Sequence, residues 1–228
     1  MIINRRKQHM PLTIFNGSPR SKKSNSKLLI EQFIAGYQSI QDESVNIHYL
    51  AVTAESDQHL KAFTESENCL IVFPLYTDAM PAIVKAFLEV VFAANIKGPK
   101  KVGFIVQSGF RESIHSSFVE RYLKKFTVRL GYEYLGTVIK GGVEGIQIMP
   151  PSMTKKLFEN FRELGSHFAQ TGSFKPELVV QLAQPYKLSL ASRWFMQLAP
   201  SFLKNFYWNS NLKKHKAYSK RFDRPFVN

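Results

Sequence analysis

The sequence predicts an α/β protein with a doubly wound fold, in which helices cover both faces of a five-stranded parallel sheet and a helical extension follows. Segments typical of strands and of helices alternate five times along residues 12–170. Residues 69–73, Cys-Leu-Ile-Val-Phe, are a continuous apolar run, as expected for a parallel strand buried on both faces. With 228 residues, of which 44% are hydrophobic, the chain is long enough for one such domain.

Residues 12–30 contain the first strand, turn and helix, and they are the most informative stretch. A short apolar run predicts the strand, and Asn, Gly, Ser and Pro then turn the chain. Any of Ser24, Asn25 and Ser26 could cap the helix. Beyond them apolar residues recur one turn apart, which indicates a helix with one buried face.

The later elements are predicted from their periodicity and apolar content. Apolar and polar residues alternate in 45–50, as in a strand. Residues 82–94 are strongly apolar and indicate a helix, and in 113–130 aromatic residues recur every four positions, which also indicates a helix. The predicted strands are 12–15, 45–50, 69–73, 101–106 and 134–139, and the later helices are 57–65, 82–94, 113–130 and 153–170. This series suits the strand order 2-1-3-4-5, in which ligands bind at the carboxyl ends of strands 1, 3 and 4.

The loop after the first strand has the character of an anion site. The start of a helix offers free N–H groups and the positive end of its dipole. Lys22 and Pro19 stand where the two common glycine-rich phosphate motifs require glycine, so neither motif applies. We infer a ligand phosphate, and an ordinary capped turn is the alternative. The loop also supplies three cationic side chains, Arg20, Lys22 and Lys23.

The loops after the first and third predicted strands resemble the corresponding loops of one known family. The run G-S-P-R followed by S-N-S resembles the first loop of the flavodoxin-like NAD(P)H-dependent FMN reductases. The run P-L-Y-x-D-x-M-P leading into V-K-x-F-L-E resembles the second flavin loop of the same family. The resemblance implies a flavodoxin-like fold, FMN as cofactor, NADPH or NADH as electron donor, and a quinone, flavin or similar small molecule as acceptor. It also implies a homodimer.

The resemblance assigns cofactor binding to three loops. Tyr76 would offer a flat face to the flavin ring, and Gly109 would let the backbone approach the ligand closely. Residues 141–145 are glycine-rich and could either line the pocket or bend the chain. The predicted cofactor-binding residues are Ser18, Arg20, Ser24, Asn25, Ser26, Pro74, Leu75, Tyr76, Thr77, Asp78, Met80, Ser108, Gly109 and Phe110.

No catalytic acid–base pair stands out in the sequence. His48 lies in a predicted strand and His59 in a polar helix, whereas His115 is nearest the predicted site and is expected on the solvated surface. Glu112 is expected in the first turn of the fourth helix, where the dipole favours an acid. The G-x-S-x-G motif is absent. This pattern is compatible with a flavoenzyme, in which the cofactor carries the chemistry.

Charge and cysteine content narrow the function further. The net charge of +14 implies anionic partners, but the sequence carries no nucleic-acid-binding signature, so we expect no nucleic acid partner. Cys69 is the only cysteine, which excludes an internal disulfide and the cysteine-ligated iron–sulfur centre that some relatives carry. No apolar run reaches the roughly 18 residues of a membrane span. Residues 1–10 lack a secretory pattern, so a cytoplasmic protein is expected, starting at Met1 or Met10.

An electron carrier of the flavodoxin type is the alternative to an enzyme. Such carriers are usually acidic and shorter, and their first loop is usually T-x-T-G-x-T. This chain is basic and has an S-P-R loop, which favours the enzyme.

The predicted domains are residues 1–183, which bind FMN, and the basic extension 184–228. The extension holds both tryptophans and nine Lys or Arg residues against one acid, Asp223. Pro200 should kink its predicted helix or begin a second one. Packing on the flavin domain or on a second subunit is the favoured interpretation, and docking to an anionic membrane surface is the alternative. The apolar stripe consists of Leu188, Ala191, Trp194, Phe195, Leu198, Phe202 and Phe206.

Overall fold

Five parallel strands form one sheet in the order β2-β1-β3-β4-β5, which confirms the predicted topology. The computed structural model describes residues 12–190, 194, 198, 200 and 205–224. The strands are β1 Leu12–Asn16, β2 Asn46–Tyr49, β3 Asn68–Pro74, β4 Lys101–Gln107 and β5 Glu133–Lys140. The central strand β3 is buried along its whole length, as its apolar run predicts.

Helices cover both faces of the sheet. They are α1 Asn25–Gln38, α2 Ser56–Glu65, α3 Ala82–Ala94, α4 Ser117–Arg129, α5 Pro151–Thr171 and α6 Pro176–Leu182. Side chains of α1, α5 and α6 fill the core on one face, and side chains of α2, α3 and α4 fill it on the other. The sequence did not predict α6, although its Leu178 and Leu182 are buried in the first of these cores.

The predicted helix 113–130 is two elements. Ser113–Ser116 is a 3₁₀ turn, and α4 begins only at Ser117. The backbone N–H groups of Ser113 and Ile114 donate to the carbonyls of Pro185 and Tyr186, at 3.0 and 3.2 Å. These bonds hold the turn against a distant segment, which periodicity within 113–130 could not indicate. Glu112 is therefore in extended backbone before the turn and not in the first turn of a helix.

Helices α1 and α5 approach each other backbone to backbone through two glycines. A Cβ atom on Gly36 would lie 1.8 Å from the carbonyl oxygen of Arg162. A Cβ on Gly165 would lie 1.9 Å from the carbonyl oxygen of Phe33. No side chain fits at either distance, so the contact depends on both glycines.

Two histidines are packed together beside β1. The ring of His48 stacks on Phe15 with centroids 5.4 Å apart, and it meets the ring of His59 edge-on at 6.0 Å. His59 is buried, and among the described residues its Nε2 atom has no hydrogen-bond partner, the Oε2 atom of Glu55 lying 3.8 Å away. Burial lowers the pKa of both rings below the ordinary value of 6.5, and Glu55 opposes this shift.

We expect the protein to lose stability as the pH falls below that ordinary value. The unfolded chain binds protons on these histidines more readily than the folded chain does. The free energy of unfolding is therefore highest at pH values above the pKa of the unfolded histidines, and it decreases as the pH drops below that pKa. Urea unfolding at about pH 7.5 and about pH 5.5 measures the difference. His59→Phe should flatten the dependence, and the control His167→Phe on α5 should leave it unchanged. An equal slope in both variants would contradict the assignment.

Contacts between Cα atoms divide the chain into two units, residues 1–187 and 188–228. The second unit contains helix α7, Phe206–Lys214, and a 3₁₀ turn, Tyr218–Lys220. Three of the seven residues of the predicted apolar stripe, Ala191, Phe195 and Phe202, and residues 1–11 lie outside the described residues. Among the described helices, none combines the length and apolar character needed to cross a bilayer.

Candidate cofactor site

Four loops meet at the edge of the sheet where the strands end. They follow β1, β3, β4 and β5, and together they line a narrow cleft with a cavity volume of about 30 Å³. Eight of the fourteen predicted cofactor-binding residues line it. The lining residues are Ser18, Arg20, Asn25, Pro74, Leu75, Tyr76, Gln107, Ser108, Gly109 and Glu144. The remaining predicted residues, Ser24, Ser26, Thr77, Asp78, Met80 and Phe110, lie in the same loops outside this lining.

The loop after β1 is built on its own hydrogen bonds. The Oδ1 atom of Asn16 accepts from the backbone N–H of Ser18 at 3.0 Å, and the Oγ of Ser18 accepts from the N–H of Arg20 at 3.3 Å. The Oγ of Ser24 accepts from the N–H of Lys27 at 3.1 Å and donates to the carbonyl of Ser21 at 2.7 Å. Ser24 is therefore the cap of α1, so its hydroxyl is committed to the protein.

Ser26 and Asn25 stand side by side in the first turn of α1 but differ in their partners. The Oγ of Ser26 is buried and has no hydrogen-bond partner among the described residues. The amide of Asn25 donates to the carbonyl of Val143 at 2.7 Å and accepts from Gln147 at 2.8 Å. A buried hydroxyl without a partner is costly, so the Oγ of Ser26, unlike the amide of Asn25, retains a hydrogen-bonding capacity that the described residues do not use.

The loop after β3 makes a tight turn. Tyr76 and Ala79 exchange backbone hydrogen bonds at 2.9 and 3.0 Å, and between them Thr77 and Asp78 have φ angles of 51° and 57°. Two successive residues in the left-handed region without glycine are strained, and such strain is common at functional sites. The ring of Tyr76 is 45% exposed, whereas Met80 packs against the core.

His115 joins two of the loops. Its Nδ1 atom lies 3.1 Å from Oδ1 of Asp78, and its ring packs on Phe110 with centroids 4.7 Å apart. The side chain of His115 is 34% exposed, and its two contacts come from Asp78, 37 residues away, and from Phe110, five residues away. Phe110 is 57% exposed, so an aromatic ring is available to a ligand on this side as well.

The loop after β5 packs directly on the loop after β4. The N–H of Gly142 donates to the carbonyl of Phe110 at 2.7 Å, and the N–H of Val143 donates to the carbonyl of Ser108 at 3.0 Å. A Cβ on Gly141 would lie 2.4 Å from the carbonyl oxygen of Phe110, so only glycine fits there. Of the two interpretations of residues 141–145, both apply, since these glycines bend the chain and Glu144 lines the cleft.

Two residues of the cleft, Gln107 and Glu144, are not among the predicted cofactor-binding residues, although Glu144 belongs to the stretch 141–145 that was expected either to line the pocket or to bend the chain. Gln107 is the last residue of β4, and its carbonyl accepts from the N–H of Leu75 at 2.7 Å. The Glu144 carboxylate lies 3.5 Å from the position that a Cβ on Gly109 would take. A carboxylate accepts hydrogen bonds, so it suits an N–H or hydroxyl of a ligand and not a phosphate. The sequence signal for Glu144 was its position in a glycine-rich stretch after the fifth strand.

Other chemistry finds little support at this edge. Within the described part of the chain, no group of three or more His, Cys, Asp or Glu side chains could hold a metal ion. Cys69 is buried in β3, and burial raises the pKa of its thiol to about 12. A thiolate nucleophile is therefore excluded at ordinary pH.

Comparison with known proteins identifies a family model and several solved structures. Residues 10–167 match the family model described as having a flavodoxin-like fold. The chain is similar to an NADPH-quinone reductase from P. pentosaceus, with 18% sequence identity and a TM-score of 0.53 over 68% of this chain and 96% of that one. None of the curated proteins compared matches the chain.

Two further structures have the same fold. One is an FMN-dependent NADH-azoreductase from Bacillus anthracis in complex with FMN, with 17% identity and a TM-score of 0.54 over 70% of this chain and 99% of that one. The other is an NAD(P)H:quinone oxidoreductase from Methanothermobacter marburgensis, with 14% identity and a TM-score of 0.57 over 70% of this chain and 98% of that one. At these identities the likeness establishes the fold, and the function has to be argued from the site.

Proposed function

Because the chain belongs to the family with the flavodoxin-like fold, we propose that it is an FMN-dependent oxidoreductase that uses NADPH or NADH to reduce a quinone or a similar small acceptor. The observation that carries the proposal is the meeting of the loops after β1, β3, β4 and β5 at one edge of the sheet, beside the first turn of α1, where the buried hydroxyl of Ser26 has no partner among the described residues. The named activities of three similar structures, a quinone reductase, an azoreductase and a quinone oxidoreductase, support it.

The residues present fit an FMN phosphate. The start of α1 supplies backbone N–H groups and the positive end of the helix dipole. Ser26 supplies a hydroxyl without another partner, and Arg20 supplies an exposed guanidinium at the rim. A phosphate held there would gain charge-assisted hydrogen bonds, which are about twice as strong as neutral ones.

The flavin ring would use the exposed aromatic residues of the other two loops. The cleft itself holds only about 30 Å³, so a three-ring system has to lie at its open mouth, where Tyr76 and Phe110 are exposed. Offset stacking against such rings is favourable. The contact between His115 and Asp78 would hold the two loops at a fixed separation, and Glu144 would accept a hydrogen bond from the ligand.

The proposed reaction needs no activated nucleophile from the protein. FMN, when bound, supplies the two-electron chemistry, in which NAD(P)H, a proton and a quinone become NAD(P)⁺ and the hydroquinone. The chain's own residues bind, orient and shield the reacting groups. Of the histidines, only His115 contacts the predicted flavin loops among the described residues.

We expect the purified or reconstituted protein to release FMN on denaturation, with FAD absent. Anaerobic addition of NADPH or NADH should bleach the visible flavin band of the native protein, and a quinone should restore it. A flavin that neither nucleotide reduces, but that a reduced protein partner does reduce, would favour the electron carrier. A protein that takes up no flavin would overturn the proposal.

The proposal includes a cytoplasmic homodimer, and the outer face of α3 and α4 supports the dimer. Phe92 and Tyr122 are 47% and 40% exposed along a groove of about 460 Å³ between the two helices. Lys85, Glu89, Lys125 and Arg129 also line it, and an exposed apolar groove of this kind could receive a second copy across a two-fold axis. Light scattering measures the mass in solution, and a monomer at every concentration would contradict the dimer.

The proposal further includes a peripheral contact between the extension and a membrane.

A further inference from the structure

The second unit, residues 188–228, carries much of the positive charge of the chain. It holds eight Lys or Arg residues and one acid, so it contributes +7 of the net charge of +14. Yet these 41 residues are less than a fifth of the sequence. A charge density of this kind attracts an anionic surface over a distance of about a Debye length.

The same unit exposes large apolar side chains. Single exposed apolar residues are normal on a soluble protein, but a concentration of them marks a surface that meets a partner. Each of the six described examples is more than 60% exposed, and they mix aromatic with aliphatic residues. They are Leu190, Trp194, Leu198, Phe206, Trp208 and Phe222.

Cations and aromatic rings are interleaved in this unit. The guanidinium of Arg221 lies 4.0 Å from the ring centroid of Tyr218 and 4.6 Å from that of Phe222, and Lys213 lies 5.1 Å from Tyr218. Helix α7 ends in Lys213 and Lys214. Aromatic residues next to Lys and Arg are the composition that favours the headgroup region of a bilayer, where rings sit at the boundary and cations meet phosphates.

We propose that the second unit docks this enzyme on the surface of a bilayer that contains anionic phospholipid. The cations would pair with lipid phosphates, while the exposed Trp, Phe and Leu side chains enter the boundary between headgroups and acyl chains. The contact is peripheral and reversible, in agreement with the lack of a membrane-crossing helix among the described residues.

Charge and composition select the bilayer over other occupants. A second copy of the unit would bring +7 against +7, so the two copies would repel each other. Single-stranded nucleic acid would satisfy the cations and could stack on the rings. Stacking gives no role to exposed aliphatic residues, however, and Leu190 and Leu198 are 72% and 77% exposed. A lipid surface accounts for the cations, the aromatic rings and the leucines together.

The last residues of the first unit, just before the second unit begins, are bonded near the candidate site. Just before it, the carbonyls of Pro185 and Tyr186 accept from Ser113 and Ile114, in the turn that also carries His115. The chain therefore leaves the first unit from the edge of the sheet that holds the candidate site. Resting on the proposed function, the acceptor is then a quinone dissolved in the bilayer, reduced to its hydroquinone with hydride from NAD(P)H and a proton from water.

Vesicle binding tests the docking without reference to flavin. The full-length protein should sediment with vesicles of phosphatidylcholine and phosphatidylglycerol, remain in solution with phosphatidylcholine alone, and be released by salt. The variant K213Q/K214Q should weaken binding about 25-fold, because each cation near such a surface contributes on the order of a factor of five. The matched control K155Q/K156Q removes two adjacent lysines from α5 and should bind as the unaltered protein does.

Further measurements decide between the alternatives. The variant W194A/W208A should also lose vesicle binding while circular dichroism stays unchanged, since both side chains are exposed. The proposal would be overturned if K213Q/K214Q bound vesicles as well as the control does. It would also be overturned if the protein bound an oligonucleotide through these residues but did not bind vesicles. A quinone in anionic vesicles should be reduced more slowly by K213Q/K214Q, with a water-soluble quinone unaffected. If vesicles bind but no flavin reaction occurs, only the proposed function fails.

Discussion

Replacing Ser26 with Glu is expected to abolish FMN binding. The substitution sets a carboxylate against the phosphate at a position with no solvent exposure, where like charges repel and neither is solvated. We expect an affinity loss of at least about 1,000-fold, the equivalent of roughly 4 kcal/mol. Titration of the apoprotein with FMN, followed by quenching of flavin fluorescence, measures it. The matched control is Ser152→Glu, since Ser152 is likewise the second residue of its helix, α5, but is exposed.

A milder variant separates ligand binding from folding. Ser26→Ala removes a hydroxyl that has no partner in the part of the chain that the structure describes, so the free energy of unfolding of the apoprotein should stay the same or rise. FMN affinity should still fall about 10-fold or more, because one hydrogen bond to a charged group is lost. Unchanged affinity in both Ser26 variants would mean that the loop after β1 does not bind the phosphate.

Gly165→Ala is expected to destabilise the protein strongly, although alanine has a higher intrinsic helix propensity than glycine. In an exposed helix this change stabilises by about 1 kcal/mol. Here the new Cβ would lie 1.9 Å from the carbonyl oxygen of Phe33, so α1 and α5 would have to separate and lose core contacts. We expect a loss of roughly 3 kcal/mol or more, measured by urea unfolding. The neighbouring change Ser166→Ala should stay within about 0.5 kcal/mol.

The reciprocal variant keeps this prediction testable if Gly165→Ala does not fold. Gly36→Ala places a Cβ 1.8 Å from the carbonyl of Arg162 on the other side of the same contact. Valine at either position should be worse than alanine. A rise in stability in either alanine variant would show that the two helices are not held as closely as described.

The sheet could be predicted from the sequence because its signal is local. The apolar run of β3 and the alternation of strands with helices fix a parallel sheet, and strand order then follows from common topology. The split of 113–130 into a turn and a helix could not be predicted, since it depends on the carbonyls of Pro185 and Tyr186. Helix α6 was missed because seven residues carry too little periodicity.

The loops that form the candidate site could be predicted from the sequence, but the hydrogen-bond partners of their side chains could not. Ser26 and Asn25 are equivalent in the sequence, and only contacts with Val143 and Gln147, more than 100 residues away, commit Asn25 to the protein. The contact between His115 and Asp78 spans 37 residues and carries no local pattern. Sequence reasoning therefore identified the donors available to a ligand, whereas the distinction between free and committed donors required the fold.

The hydrogen bonds within the loop after β1 bear on how a ligand arrives there. Asn16, Ser18 and Ser24 bond to the loop backbone through the protein's own groups, so we expect binding to add few further constraints to this segment. The ordering entropy would then fall mainly on the exposed side chains of Arg20 and Lys22 and on the ligand itself. Exposed cations beside such a loop favour fast, diffusion-driven capture of an anion, at a rate that falls as ionic strength rises.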